Sequence, residues 1–252
     1  MTNRTTLITA AGGNGTAIQI ISQPLDRATY EKRGKELGDA MEGDGAEQAG
    51  FLVLDDNHFE MAGGEFCGNA SRAAAMLFSE ASGQKDVSFT VSGFDGTVTA
   101  YVDRRSPTKA FVRCTFAGMP VDVSDVILAD GRKAEIVDLG GIVHVVIEGP
   151  FINDEAWYSP QHRAITEKFN LGERDAVGVI WFEKNQDTVL IHPVVWVKAV
   201  DTFYYESSCG SGTIAVGRVT NAPSIIQPSG GTITAGINQS TVVLESEMEV
   251  IR

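Results

Sequence analysis

Two segments constrain this chain more than any other feature. Gly63-Gly64-Glu65-Phe66-Cys67-Gly68-Asn69-Ala70-Ser71-Arg72-Ala73 and Tyr205-Glu206-Ser207-Ser208-Cys209-Gly210-Ser211-Gly212-Thr213-Ile214-Ala215 each place Cys-Gly and a small polar residue just before a helix-prone run. They lie more than half the chain apart, which fits matching places in two similar units. A helix start also has chemical consequences. Its first N–H groups lack intrahelical partners and its dipole end is positive, so anions are held there and a thiolate is favoured. A thiol so placed is expected to have its pKa lowered. The adjoining glycine is expected to let a substrate approach the backbone closely.

Around these junctions the pattern is mostly short strands. Residues 87–92 and 97–102 flank Gly93-Phe94-Asp95-Gly96 as a hairpin, and Val177–Phe182 with Thr188–Val197 form a second around a polar turn at residues 183–187. Leu244, Ser246, Met248 and Val250 alternate with Glu245, Glu247 and Glu249, the pattern of a half-buried final strand. Helices are expected at Thr29–Met41, at Ser71–Ala81 ending at Gly83, at Ser159–Asn170 with Ser159 as N-cap and Pro160 first, and beginning at Ile214. The fold class is α+β. The expected division is residues 1–118, together with a C-terminal strand near 243–252, and residues 119–242, with the boundary near Met119-Pro120.

Composition removes several classes. With 33 acidic against 20 basic residues the formal charge is −13, which argues against nucleic-acid and anionic-membrane partners. No run reaches the roughly 18 to 20 apolar residues of a membrane span. The start Met1-Thr2-Asn3-Arg4-Thr5-Thr6 lacks a signal-peptide profile, and the expected location is the cytoplasm. Three scattered cysteines, Cys67, Cys114 and Cys209, make neither a disulfide framework nor a zinc site. His58, His144, His162 and His192 show no ligand spacing, so no metal is expected. Gly12-Gly13-Asn14-Gly15 is not a dinucleotide loop, because position 18 is Ile and strand follows. No Walker A, HExxH or GxSxG pattern is present.

Cys67-Gly68-Asn69 paired with Cys209-Gly210-Ser211-Gly212 resembles the two catalytic cysteine motifs of the diaminopimelate epimerase-like, cofactor-independent amino-acid racemases. Gly13-Asn14-Gly15-Thr16, Glu47-Gln48-Ala49-Gly50-Phe51, Gly140-Gly141-Ile142-Val143-His144 and Gln227-Pro228-Ser229-Gly230-Gly231 are similar, in the same order, to further segments of that family. The resemblance covers most of the chain. It implies two pseudo-symmetric domains, each a strongly curved sheet or barrel around a central helix, with the active site in the cleft. It implies Cys67 and Cys209 as the base and acid that invert Cα, His144 as the partner orienting Cys67, and Glu47 as an acidic partner. Substrate contacts fall to Asn14, Gln48, Gly68, Asn69, Glu206, Gly210, Ser211, Gly212 and Thr213. No cofactor is implied, the partner is a free amino acid, and a homodimer is compatible.

The departures bear on substrate. Ala199–Tyr205 has no arginine for a second substrate carboxylate, and Val177-Gly178-Val179 and Ile142-Val143 replace the subfamily's asparagine positions. Asp201, Phe203, Tyr204 and Tyr205 suit a neutral or cationic side chain, whereas a second carboxylate would be left unpaired. The two cysteine segments look more like those of the histidine racemases of staphylopine-type metallophore synthesis, so histidine leads over diaminopimelate or another amino acid. Two other classes stay open: a hydrolase or transferase with a single cysteine nucleophile, and a non-catalytic amino-acid-binding protein.

Overall fold

The computed structural model describes residues 5–185 and 188–252. The Met1–Arg4 start and Gln186-Asp187 of the second expected hairpin lie outside the described residues. The first half of the chain runs β1 (Thr5–Ala10), β2 (Gly13–Ile21), α1 (Arg27–Met41), β3 (Ala46–Val53), β4 (His58–Met61), α2 (Gly68–Ser82), β5 (Asp86–Val91), β6 (Phe94–Arg104) and β7 (Lys109–Ala117). The second half runs β8 (Asp122–Ile127), β9 (Lys133–Asp138), β10 (Val143–Glu148), α3 (Glu155–Lys168), β11 (Ala176–Asn185), β12 (Thr188–Val197) and β13 (Thr202–Tyr205). It finishes with α4 (Gly210–Thr220), β14 (Ser224–Ile226), β15 (Thr232–Asn238) and β16 (Thr241–Val250).

Strand pairing gives an α+β fold with one closed part. The order β1-β2-β3-β4-β5-β6-β7-β16 returns from β16 to β1, so these eight strands form a closed barrel. Closure leaves those strands no free edge between them. From β16 the sheet continues as β15-β14-β12-β11-β10-β9-β8, with β13 on β12. Among the described residues β8 pairs only with β9, so the sheet of the second half does not close into a barrel as the first half does. The alternation in β16 is as the sequence indicates: Val242, Leu244, Ser246 and Met248 are buried. This strand pairs with β7, β15 and β1, and so joins the barrel to the open sheet.

Helix α2 lies in the main core. Residues Gly68 to Ser79 are all buried, and the helix packs against every strand of the barrel. A run of Ala73, Ala74 and Ala75 keeps it thin enough to be surrounded, and Gly83, at φ 70°, caps its end. Helix α4 is buried from Gly210 to Gly217 and packs on β10, β11, β12 and β15. Helix α3 covers the other face of β11, where Val179 and Trp181 point away from Ala176, Ile180 and Phe182. Burial on both faces explains the unbroken apolar run of β11.

Each helix starts earlier than expected, α2 at Gly68 rather than Ser71 and α4 at Gly210 rather than Ile214. Helix α3 begins at Glu155, not after Ser159, because Asp154 accepts from the Ala156 N–H at 3.0 Å and forms the N-cap. Pro160 therefore lies inside the helix. Trp157 and Tyr158 of the earlier turn stack around Phe151, whose contacts with Trp181 draw the helix start inward. Helix α1 likewise starts at Arg27, with Asp26 accepting from the Thr29 N–H. No helix of the described residues is long and apolar enough to cross a membrane.

Phe116 of β7 packs edge-on against Phe66 and Phe94, with ring centroids at 5.3 and 5.7 Å, and Phe66 directly precedes Cys67. Phe116→Ala is expected to cost about 3–5 kcal/mol, read as a lowered urea midpoint at unchanged slope. A midpoint within error of the parent would show that the barrel does not depend on this packing.

Candidate active site

The two cysteines are N-caps of their helices. Cys67 adopts φ −130°, ψ 112°, and its Sγ accepts from the Ala70 N–H at 3.3 Å. Cys209 adopts φ −140°, ψ 110°, and its Sγ accepts from the Gly212 N–H at 3.2 Å. The next turn also matches, with Ser71 Oγ donating to the Cys67 carbonyl at 2.8 Å and Thr213 Oγ1 to the Cys209 carbonyl at 2.7 Å. Here a thiol fills the role usually taken by a Ser, Thr, Asp or Asn oxygen.

The two helix starts also touch. A Cβ on Gly210 would stand 2.9 Å from Asn69 Oδ1 and 3.1 Å from the Gly68 carbonyl carbon. A Cβ on Gly68 would meet Leu244 at 2.6 Å and the Gly210 backbone at 3.3 Å. The Cys-Gly glycines thus serve the approach of helix to helix. Asn69 completes the junction: its Nδ2 donates to the Ser208 carbonyl at 3.0 Å and to Ser208 Oγ at 3.2 Å, and its Oδ1 accepts from Arg72. On the other side Gln227 accepts from the Cys209 N–H at 2.8 Å and donates to Thr213 Oγ1 and to the Ile225 carbonyl. Asn69 and Thr213 therefore spend their side chains on architecture.

A hydrogen-bonded chain runs from the first thiol to a carboxylate beside the second. Cys67 Sγ donates to Gln48 Oε1 at 2.9 Å, Gln48 Nε2 donates to Glu206 Oε1 at 2.9 Å, and the Glu206 charge acts on Cys209. A β-bulge delivers this geometry. Gly15 pairs with Ala46 and Thr16 with Gln48, so Glu47 is the extra residue on β3. The disruption lets consecutive side chains both reach the site: Gln48 bridges the thiols, while Glu47 accepts from Ser207 Oγ and from the Ser207 N–H. Ser207 Oγ in turn accepts from the Asn14 N–H at 2.5 Å. Asn14 lies at φ 46° as the second residue of β2, and among the described residues neither polar atom of its buried side chain has a partner.

A cavity of about 50 Å³ adjoins the chain between α1, β3 and the β12–β13 pair. Glu47, Gln48, Glu65, Thr202, Tyr204 and Glu206 are among its lining residues. Burial, with the Glu47 and Glu65 charges adding to it, pushes the Glu206 carboxyl up to about 8. Burial and the neighbouring Glu60 push Glu65 up to about 7 against the pull of Arg27, and Glu65 Oε2 has no hydrogen-bond partner. Burial also raises Glu47. The thiols follow the same rule. Burial and then the Glu206 charge push Cys67 up to about 12, and the same two causes push Cys209 well above its ordinary value. The expected lowering at a helix start is thus overturned: the N–H groups do lower the Cys67 and Cys209 values, but desolvation outweighs them.

A model of the histidine racemase CntK N-terminal domain matches residues 17–245 of the chain. A histidine racemase of Fusobacterium nucleatum subsp. nucleatum is 33% identical over 196 residues, covering 73% of this chain and 71% of that protein. The chain belongs to the histidine racemase family. It is therefore an enzyme, an isomerase. A histidine racemase of Staphylococcus aureus is 24% identical over 183 residues, covering 69% of this chain and 65% of that one. In fold, a predicted epimerase from Pseudomonas aeruginosa matches with a TM-score of 0.64 at 11% identity, covering 99% of this chain and 97% of the other. A phenazine biosynthesis PhzF family protein from Enterococcus faecalis matches with a TM-score of 0.58 at 16% identity, covering 99% and 98%.

Within this family member the sequence-derived candidates divide. Cys67, Gln48 and Glu206 form one connected group that acts on Cys209, with Gly68, Gly210, Ser211 and Gly212 at the helix starts and Glu47 and Asn14 beside it. His144 is not joined to it by hydrogen bonds: it is fully buried on β10, packed against Gly178, and neither ring nitrogen has a partner. Burial holds it down to about 3, so it is neutral. Of the residues read as side-chain selectors, Tyr204 lines the cavity. Phe203 and Tyr205 pack into the second core, and Asp201 accepts from Trp196 Nε1 at 3.1 Å. Glu65, two residues before Cys67, was missed, because its burial depends on the packing of Gly63 against Val197. Among the described residues no group of three His, Cys, Asp or Glu could hold a metal.

The raised carboxylates fix a pH dependence. The folded state holds protons on Glu65 and Glu206 more tightly than the unfolded chain does. Their contribution is therefore complete below the ordinary carboxylate value near 4.5 and is lost as pH rises through about 7 and 8. Glu65→Gln and Glu206→Gln should each flatten the fall in melting temperature over that interval. An unaltered slope in both variants would remove these groups as its source. His144 works in the opposite sense, losing its contribution as pH drops from about 6.5 towards 3.

Proposed function

We propose that the enzyme racemises free histidine by a two-cysteine, two-base mechanism without a cofactor. The observation that carries this reading is the pair of thiols that cap two adjoining helix starts, with the chain Cys67–Gln48–Glu206 ending in a carboxylate that acts on Cys209. The substrate carboxylate is held by the first-turn N–H groups of α2 and α4, which have no intrahelical acceptor. Glu206 takes the proton of Cys209, and the resulting thiolate removes the α-proton. Cys67 delivers its own thiol proton to the opposite face. One proton has then moved onto Cys209 and one off Cys67, and the reverse reaction exchanges the roles. Between turnovers Glu206 and Glu65, raised towards neutral pH, hold the proton that resets the pair.

Histidine fits the acidic lining. Glu47, Glu65 and Glu206 face a ligand that carries an ammonium and an imidazole, and Tyr204 offers a ring beside them. A second substrate carboxylate would meet only these acids. The space of about 50 Å³ is on the scale of a few water molecules, so admission requires the halves to part and catalysis follows their closure. The halves proposed are residues 1–118 with 243–252, and 119–242, related by pseudo-symmetry. The matched cap geometry of α2 and α4 and the enclosure of α2 by the barrel support that division. A reducing compartment, the cytoplasm, suits three free cysteines.

The test is α-proton exchange and optical rotation with L- and D-histidine in deuterium oxide. The parent should exchange and racemise both, with diaminopimelate unchanged. Cys67→Ala and Cys209→Ala should each lower racemisation by a factor of about 10³ or more. Loss in one variant alone would favour a single-nucleophile enzyme, and binding without exchange would favour a non-catalytic protein. Either result overturns the two-base reading.

A further inference from the structure

We propose that Glu65 selects the substrate side chain, its carboxyl taking the ring N–H of the imidazole in the cavity beside the two helix starts. The inference rests on the histidine reading and deepens it by naming the group that recognises the ring. The cavity is lined by the carboxyl groups of Asp39, Glu47, Glu65 and Glu206. Asp39 is exposed on α1. Glu47 accepts from Ser207 Oγ and from the Ser207 N–H, and Glu206 Oε1 accepts from Gln48 Nε2 at 2.9 Å. Glu65 differs from all three. It is 6% exposed, and among the described residues its Oε2 has no hydrogen-bond partner. A buried acceptor left unmatched opposes folding, and a ligand that brings a donor recovers the loss.

The surroundings indicate which donor. The backbone of Glu65 is pinned: its carbonyl accepts from Ser92 Oγ at 3.1 Å, and Ser92 Oγ accepts from the Met61 N–H at 2.9 Å. Arg27 donates to the Met61 carbonyl at 3.1 Å and to the Ala62 carbonyl, and pairs with Glu60 at 2.6 Å, so this guanidinium is spent on the turn before Glu65. A Cβ on Gly63 would stand 2.6 Å from both Glu65 Oε2 and Val197 Cγ1, which places the carboxyl over a glycine beside an apolar wall. Val195 and Val197 line that wall, with Tyr204 nearby. A ring with apolar faces and a polar edge suits such a pocket. Gln48, which accepts from Cys67 Sγ, and Glu206 line the same space, so an amino acid with its Cα at the thiols extends its side chain towards Glu65. Burial raises Glu65 to about 7, close to the ordinary imidazole value of about 6.5, so carboxyl and ring share one proton without net uptake. An apolar ring would leave Oε2 unmatched, and a side-chain carboxylate would add negative charge to a pocket already lined by acids.

The experiment is calorimetric titration, which reads binding without depending on turnover. The ligands are histidine and thienylalanine, whose five-membered ring carries no N–H. The parent should bind histidine about 100-fold or more tightly than thienylalanine. Glu65→Leu should weaken histidine by about the same factor and leave thienylalanine within about threefold of the parent, so that the preference collapses. Glu65→Gln, which keeps an acceptor but cannot share the proton, should lower the preference by about tenfold. Circular dichroism checks that each variant is folded. Should Glu65→Leu not fold, Glu65→Gln decides: a preference equal to the parent's overturns the proposal. Equal losses for both ligands in a folded variant also overturn it and leave Glu65 with a structural role. A parent that binds neither ligand overturns the histidine reading and this proposal with it. Failure of the two-cysteine reading is distinct: Cys67→Ala or Cys209→Ala would still racemise, with the preference set by Glu65 intact.

Discussion

Helices α2 and α4 meet start to start, with Gly68 against Gly210, and most of the site follows from that contact. Two positive dipole ends brought together repel, and the repulsion is relieved by negative charge placed between them. The protein supplies partial relief through sulfur caps, each accepting a first-turn N–H, and through Asn69 and Gln227, which tie the junction from either side. The rest is supplied when a substrate carboxylate or a thiolate arrives. A side chain on either glycine would hold the helices apart by overlapping backbone, Asn69 or Leu244. The barrel and open sheet act as supports that keep two helix ends at one point.

Burial then decides how the groups at that point behave. At an exposed helix start a thiol would ionise readily, but here both thiols are buried and both are pushed up. The consequence is a division of labour. Helix N–H groups fix the direction of each sulfur, and in the proposed mechanism they also hold the ligand while carboxylates raised towards neutrality move the protons. Glu206 and Glu65 are useful as proton holders because desolvation brings them to about 8 and 7, near the pH at which a base must both accept and release. Exposed, they would be permanently ionised and poorer exchange partners.

The sequence carried those parts that depend on local pattern. Both hairpins, the final alternating strand, the glycine stop of α2 and the two helix-start cysteines are local in this sense, and each is where its pattern places it. The parts that depend on distant packing were not legible. Asp154 displaced Ser159 as the cap of α3 because Phe151, Trp157 and Trp181 needed the earlier turn. The bulge at Glu47 is a mismatch between two strands, so no property of β3 alone announces it. Glu65 reads as an ordinary surface acid until Gly63 brings it under Val197. His144 illustrates the converse: a residue in a suggestive segment, enclosed against Gly178 without a hydrogen bond.

The buried polar inventory joins stability to chemistry. Among the described residues Arg72, Glu65, Asn14 and His144 all carry side-chain polar atoms without partners, and all are at least nine-tenths buried. Unmatched groups of this kind oppose folding, so the surrounding core must offset them, and the barrel packed around α2 is the largest apolar assembly available. Arg72 belongs to α2, the helix that the barrel encloses. A ligand bearing both an anionic and a cationic group would satisfy part of that inventory on binding, so closure around it and stabilisation of the fold are the same event.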